Sequence, residues 1–507
     1  VPSSAAGSSC NAAVTLLAVG APAAEALVCG AESISYGDLR QRVAVAAGAW
    51  RTLGLETGDR AMIYAPDSIE WVVAYLGAIW AGGVAVGINP RLAPGELLAI
   101  MRESEARFVW CEEDLAGSVA AQASEQLPGL TVVCSSKLHG TVNWTTALAN
   151  AQALAPVMRD AEDPALWIGT SGTTGIPKGV VHAQRVVDTS DAFAAGLLAV
   201  TAADRLYASS KLFFAYALGN SLFAGLRRGA TVILDREWPT PERVEQMVAA
   251  HRPTILFSVP TLYHKMLSTG TAARLAAAGI RRYVSAGEAL PAALRIGWRA
   301  ATGQAPISGY GTSETLCLML YSDEDSGRMR PTPLTEVRWD DKLPHECPQR
   351  VWIKAGTVAK GYWHRPEAEA DGFRDGWYSP GDAFLCGPGA SFEYAGRNDD
   401  MLKIAGQWVS TLWVEQALSA RCGDALQQIA AVGVTTADGL GALAVLAVAT
   451  AGAEATARER IVAGIEDLPG HRRPRWVHWV EGLPLTATGK TQRSSLKALH
   501  EAAVKRG

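Results

Sequence analysis

Apolar positions at Leu39, Val43, Ala46, Trp50 and Leu53 recur at helical spacing, and Gly54 follows them as a stop signal. The next apolar run, Ala61-Met-Ile-Tyr-Ala65, is short and lacks polar alternation, so it predicts a buried strand. Ser68 is placed to cap a helix that runs to about Ala81, and Val84–Ile88 reads as another strand. The alternation continues with strands predicted near 107–111, 166–169, 254–258 and 281–285 and helical segments between them. Such alternation predicts an α/β architecture with parallel sheets covered by helices. The texture changes after about residue 400. Strands at Ile429–Val434 and Leu443–Ala449, a helix near 455–466, a strand near 475–480 and a last helix from Ser494 predict a compact α+β unit of ordinary domain size.

Composition narrows the class. The chain has 507 residues, 49% of them apolar and 19% charged, which supplies a large core and argues against disorder. The net charge is −4, from 46 basic and 50 acidic residues, which argues against a nucleic-acid or membrane-surface partner. Eight cysteines lie at 10, 29, 111, 134, 317, 347, 386 and 422 with no CxxC pair, so reduced thiols and a cytoplasmic location are expected. Ala12–Cys29 is interrupted by Gly20, Pro22 and Glu25 and has no basic residue before it, a poor signal peptide. Ala442–Ala449 is far shorter than the ~20 apolar residues of a membrane span. Glycine is in excess, at 50 residues of 507 against a usual ~7%.

Part of that glycine falls in the sharpest local motif, Thr170-Ser-Gly-Thr-Thr-Gly-Ile-Pro-Lys-Gly179, directly after a predicted strand. Small residues let several backbone N–H groups turn inward, hydroxyls add donors, and Lys178 adds a full charge, which together make a nest for a polyanion. The motif is not a Walker A loop. Gly489-Lys490-Thr491 looks like its tail, but residue 484 is Pro where glycine is required.

This loop resembles the phosphate-binding signature of the adenylate-forming superfamily, which holds acyl- and aryl-CoA ligases, peptide-synthetase adenylation domains and luciferases. Further motifs of that superfamily follow in order over nearly the whole chain. They are Trp80-Ala-Gly-Gly-Val-Ala-Val-Gly-Ile-Asn-Pro90, Tyr310-Gly-Thr-Ser-Glu314, Lys360-Gly-Tyr-Trp-His-Arg-Pro366, Gly376-Trp-Tyr-Ser-Pro-Gly-Asp382, Gly396-Arg-Asn-Asp-Asp-Met-Leu-Lys-Ile-Ala-Gly406 and Pro484-Leu-Thr-Ala-Thr-Gly-Lys490. The resemblance implies a large N-terminal region, residues 1–398, built of parallel-rich sheets, and a small mobile α+β domain, residues 399–507, hinged at Asp399.

The resemblance also implies two half-reactions. A carboxylate attacks the α-phosphorus of Mg-ATP, giving acyl-AMP and pyrophosphate, and a thiol, such as that of CoA, then displaces AMP. Charge builds on phosphoryl oxygens, so positioning and fixed positive charge carry the catalysis. By motif, Thr170, Ser171, Gly172, Thr173, Thr174 and Lys178 are implied at the β/γ-phosphates and Thr312 at the α-phosphate. Glu314 is implied as the Mg²⁺ ligand, a hard cation that takes oxygen donors. Gly287, Glu288, Tyr310 and Gly311 are implied around the nucleotide, with Tyr310 stacked on adenine. Asp382 is implied at the ribose hydroxyls with Arg397 nearby, and Lys490 between the acyl carboxylate and the α-phosphate. Lys403 and Gly406 match the segment that faces the site during thioester formation, where glycine lets a pantetheine arm pass. His471-Arg-Arg-Pro-Arg475 is a basic run that either meets CoA phosphates or is simply solvated.

The segments Lys211–Asn220 and Ser285–Pro291 look most like those of benzoate-type aryl-CoA ligases. The acid that pairs with an α-amino group in amino-acid adenylation domains is absent from Phe214-Ala-Tyr-Ala-Leu218. Phe193, Tyr216, Ala217, Ala286, Gly309 and Leu316 are the expected lining of a flat aryl-acid slot, with Tyr216 a candidate partner for a ring amine or hydroxyl. Departures from the pattern are Pro380 where Thr usually precedes Gly-Asp, Pro484-Leu485 where Pro-Lys is usual, and Gln184 where a second His is common. The implied partners are an aromatic acid, ATP and CoA, with no nucleic acid or membrane. A phosphopantetheinyl carrier protein as acceptor, a homodimer and a non-catalytic nucleotide-binding homologue stay open at this point, although Lys178, Glu314 and Lys490 argue for catalysis.

Overall fold

The computed structural model describes residues 9–505 apart from 171–177, 341, 343–346, 398–400, 405–406, 437, 439 and 485–490. Contacts divide the chain into two units, one of residues 1–337 with 353–378 and the other of residues 338–352 with 379–507. Residues 379–397 thus cluster with the smaller unit, and Asp399, the expected hinge, lies outside the described residues.

The larger unit holds two mixed sheets. The first runs Gly361–Tyr362, Lys178–Ala183, Pro164–Thr170, Val84–Ile88, Arg60–Tyr64, Phe108–Cys111, Thr131–Cys134, Val142–Asn143. Its neighbours are parallel from Pro164–Thr170 onward, as the alternation predicts, but the other end is an antiparallel hairpin. The second sheet runs Arg330–Pro331, Leu320–Ser322, Ile307–Tyr310, Arg282–Ser285, Ile255–Ser258, Arg205–Ala208, Thr231–Leu234, Glu25–Cys29, Glu32–Ser35, parallel except at its ends.

Continuous apolar strands are explained by burial on both faces. Leu256 and Tyr283 belong to one core cluster, while their neighbours Phe257 and Val284 belong to another. Successive side chains leave a strand on opposite faces, so one strand serves two cores. Helix Ile69–Trp80 starts where the sequence predicts, with Ser68 Oγ accepting the Trp71 N–H at 3.0 Å. It packs on helix Tyr36–Thr52 through Gly77, where a Cβ would stand 2.8 Å from Ala46 Cβ. Trp50 closes the same contact, fully buried, its indole donating to the Ala74 carbonyl at 3.0 Å. Truncating it to Ala costs about 3–5 kcal/mol.

The smaller unit carries a three-stranded sheet of Gln349–Arg350, Asp382–Gly387 and Ser391–Arg397, a hairpin of Met401–Ile404 with Gln407–Ser410, and a three-stranded sheet of Leu426–Thr435, Gly441–Ala449 and Trp476–Trp479. Helices Thr411–Cys422 and Glu454–Asp467 cover that last sheet through Val414, Leu418 and Ile461. Among the described residues no helix is long and apolar enough to cross a membrane, and the eight cysteines are unbridged.

Candidate active site

In the first sheet, Thr170 and Lys178 are the last register pair of the antiparallel hairpin, on either side of the segment that connects its two strands. Ser171, Gly172, Thr173 and Thr174 fall between them and lie outside the described residues. The edge strand Gly361–Tyr362 pairs with this hairpin, Tyr362 opposite Val180. Lys178 Nζ consequently sits 5.2 Å from the centroid of the Tyr362 ring, a cation–π contact. Gly361 has φ +155°, and a Cβ there would meet the Glu369 carboxylate, which accepts the Tyr362 N–H at 2.7 Å.

The second sheet delivers the other half. Strand Ile307–Tyr310 ends at Tyr310 and the chain turns through Gly311 to Glu314. Gly311 is required by a close approach, since a Cβ would lie 2.7 Å from the Cys317 carbonyl oxygen. The buried Thr315 hydroxyl tightens the turn by accepting the Thr312 N–H at 2.9 Å. Glu314 is only 8% exposed, and the Tyr362 hydroxyl donates to its Oε1 at 2.7 Å. The Tyr378 phenol also faces Glu314 and Thr312, and burial holds its pKa well above the ordinary value. Thr312 Oγ1 is buried without a hydrogen-bond partner of good geometry. Lys178, Tyr362, Glu314 and Thr312 therefore converge, although 136 residues separate Lys178 from Glu314 (314 − 178).

His182 holds the two halves together. It is fully buried, and its Nε2 lies 2.9 Å from the Ser313 carbonyl. Burial pushes its pKa down to about 4, so it is neutral at pH 7 and donates from Nε2. Neither Tyr362 nor His182 is among the residues that the resemblance assigns a role. The signal on offer is the place of Tyr362 inside the motif Lys360–Pro366. Gln184, the departure beside it, packs structurally: its Oε1 accepts the Ala12 N–H at 2.8 Å.

The proposed acid-binding residues gather on the second sheet. Phe193 and Ala286 share a cluster with Phe257, Val284 and Leu318, and Tyr216 packs against it. Gly309 abuts that cluster, since a Cβ would fall 2.4 Å from Leu318 Cδ1. Leu316, at φ +58°, has its carbonyl against Gly219. A π-helical stretch, Leu218–Phe223, follows the buried Ala217. Its Asn220 donates to the Tyr216 carbonyl at 3.0 Å and accepts the Leu318 N–H at 3.1 Å, tying the two walls together. The Tyr216 hydroxyl donates to the Val284 carbonyl at 2.9 Å, so Tyr216 offers a ligand its ring rather than its proton. Gly287, at φ +89°, turns the chain after strand Arg282–Ser285, and Glu288 accepts the Thr261 hydroxyl at 2.8 Å.

In the smaller unit Asp382 is buried and is the register partner of Arg397, with the Tyr394 hydroxyl 3.5 Å from Oδ1. Lys403 lies on strand Met401–Ile404, opposite Trp408. Asp399, Gly406 and Lys490 lie outside the described residues. The chain on either side of Lys490 is held at its base, where Gln492 N–H donates to the Pro484 carbonyl at 2.7 Å. Arg493 then donates twice to Glu415, at 2.9 and 2.8 Å.

Among the described residues no group of three or more His, Cys, Asp or Glu side chains is placed to hold a metal ion. A single buried carboxylate such as Glu314 suits Mg²⁺, which keeps water and phosphate oxygens for most of its shell.

Comparison with known proteins adds the following. The family model described as AMP-binding enzyme matches residues 17–363. A 3-hydroxybenzoate–CoA ligase from Aromatoleum sp. (strain CIB) is 36% identical, with 96% of this chain and 95% of that protein covered. A benzoate–CoA ligase from Thauera aromatica is 34% identical, covering 92% of this chain and 91% of that one. The crystal structure of a benzoate CoA ligase from Burkholderia xenovorans LB400 superposes with a TM-score of 0.86 at 32% identity, covering 96% of this chain and 100% of that chain.

Proposed function

The chain belongs to the AMP-binding enzyme family, and on that premise we propose that it is an ATP-dependent aryl-CoA ligase acting on benzoate or a hydroxybenzoate. The observation that carries this reading is the convergence of Lys178, Tyr362, Glu314 and Thr312 beside the small-residue and aromatic cluster of Phe193, Tyr216, Ala286 and Gly309. The relatives named above are CoA ligases, which favours free CoA over a carrier-bound thiol as acceptor.

In the first half-reaction the acid carboxylate attacks the α-phosphorus and pyrophosphate leaves. Lys178 and the hairpin backbone bind the β- and γ-phosphates, and Lys178 is kept in place by the Tyr362 ring. The Thr312 hydroxyl, which has no partner of good geometry within the chain, donates to an α-phosphate oxygen. Glu314, oriented by Tyr362, would hold Mg²⁺, which supplies charge neutralisation on the phosphates when bound. Tyr310 stacks on adenine, Asp382 accepts from the ribose hydroxyls with Arg397 beside it, and Gly287 and Glu288 border the nucleotide. Lys490 bridges the acid and the α-phosphate. In the second half-reaction the small domain turns about Asp399, withdraws Lys490 and brings Lys403 and Gly406 to the thiol.

The test is acid-dependent ATP–pyrophosphate exchange across benzoate, aminobenzoates, hydroxybenzoates, phenylacetate and short fatty acids, followed by thioester formation with CoA. Exchange with benzoates and a CoA thioester product are expected. Exchange that responds only to aliphatic acids would sink the aryl reading.

A further inference from the structure

The segment that carries Tyr216 enters its place through a buried polar cluster. Lys211 is 4% exposed, and its Nζ donates to the Asp235 carbonyl at 2.6 Å and to that of Glu237. The next residue, Leu212, gives its N–H to both oxygens of Asp67, at 3.1 and 3.2 Å, and Asp67 is 4% exposed. Asp235, 3% exposed, accepts from Arg243 at 2.7 Å and from the Tyr207 hydroxyl at 3.2 Å. Phe213 is clamped as well. A Cβ at Gly87 would stand 3.3 Å from Phe213 Cα, and the Phe213 ring lies 6.2 Å from Trp238, itself covered by Arg91 at 4.0 Å. Burial raises the Asp67 carboxyl to about 7, opposed by the Lys211 charge and the Leu212 N–H, and burial lowers Lys211.

Burying two carboxylates and an ammonium is costly, and a well-packed apolar cluster of the same volume is often as stable or more so. Directional polar contacts do what apolar packing cannot: they set where one segment starts. Lys211 spans to the exit of strand Thr231–Leu234, and Asp67 reaches from the loop before helix Ile69–Trp80. Five residues after Lys211, the Tyr216 hydroxyl meets the Val284 carbonyl at 2.9 Å. The wall Phe214–Ala217 is therefore held from both ends.

We propose that Asp67, Lys211 and Asp235 are positioning residues for the acid-binding wall, setting how tightly and how selectively an aromatic acid is held. The proposal rests on the aryl-acid reading above. It is tested by acid-dependent pyrophosphate exchange on the full chain, comparing wild type, Asp67→Asn, Lys211→Met and the double variant. Each single variant is expected to raise KM for the best acid about tenfold or more, with KM for ATP held within about twofold. Discrimination between the best acid and its ring-substituted competitors should fall. The double variant should lose less than the product of the two single losses, because it removes both charges together. A merely structural role would move both KM values together, and that result, or no change in either, overturns the proposal. Where the single variants do not fold, Asp67→Glu and Lys211→Arg keep the charges but shift their reach, and the same split between acid and ATP is required of them. A wild type that activates no aromatic acid refutes the aryl reading itself, a different outcome from a wild type that does and variants that match it.

Discussion

Tyr362→Phe removes one oxygen and leaves the rest of the side chain in place. The ring keeps its 5.2 Å contact with Lys178 and its edge contact with Phe373 at 5.5 Å. What is lost is the 2.7 Å hydrogen bond to Glu314 Oε1, inside a site where the carboxylate is 8% exposed. A hydrogen bond to a charged group contributes about 1.5–3 kcal/mol net, which as a ceiling corresponds to roughly ten- to 150-fold. Tyr378 still faces Glu314, so the lower part of that range applies. The expected result is a fall of about ten- to thirtyfold in kcat/KM for Mg-ATP in pyrophosphate exchange. The Mg²⁺ requirement should rise, while KM for the acid stays within about twofold. Tyr362→Leu should lose more, because it also removes the aromatic face under Lys178. If Tyr362→Phe folds normally and keeps wild-type kcat/KM for Mg-ATP, the coupling of Lys178 and Glu314 through this tyrosine is wrong.

Lys490→Ala should abolish exchange while preserving much of the thioester formed from added aryl-AMP; near wild-type exchange would refute the bridging role. Gly406→Leu should do the converse, and loss of adenylation with intact thioester formation would overturn the two-conformation scheme. Gly309→Ala puts a methyl 2.4 Å from Leu318 Cδ1, so KM for the acid should rise several-fold, an overpacking effect of about 1–3 kcal/mol, with ATP binding unchanged. His478 Nε2 and His500 Nδ1 lie 2.9 Å apart, and burial lowers both pKa values from the usual ~6.5. Their contribution to stability is therefore present above about pH 6.5 and is lost as the pH falls below it. Fluorescence of Trp476, whose ring is 5.0 Å from His500, should report a lower denaturation midpoint at pH 5.5 than at pH 7.5, and His500→Gln should flatten that difference.

The order of elements was legible because it depends on local spacing. Ser68 announces helix Ile69–Trp80, and the apolar run at 255–257 announces a strand buried on both faces. The hairpin strand Lys178–Ala183 was not legible, because its apolar residues follow a glycine-rich loop that reads as a phosphate nest throughout. The π-helical turn Leu218–Phe223 was hidden for another reason: its geometry answers to Gly219 lying against the Leu316 carbonyl, a contact across the fold.

The chemistry divides in the same way. Motif resemblance already pointed to Lys178, Thr312, Glu314 and Asp382 as candidates, and their side chains carry the charge and oxygens that phosphate, ribose and Mg²⁺ would need. Partnership was decided only by folding. That the Tyr216 hydroxyl is occupied by Val284, that Tyr362 links Lys178 to Glu314, and that His182 is neutral under Ser313 depend on strand order and burial. A hydrogen bond or a shifted pKa is a property of neighbours a few ångströms away, and here those neighbours lie far apart along the chain, from 48 residues for Tyr362 and Glu314 to 131 for His182 and Ser313.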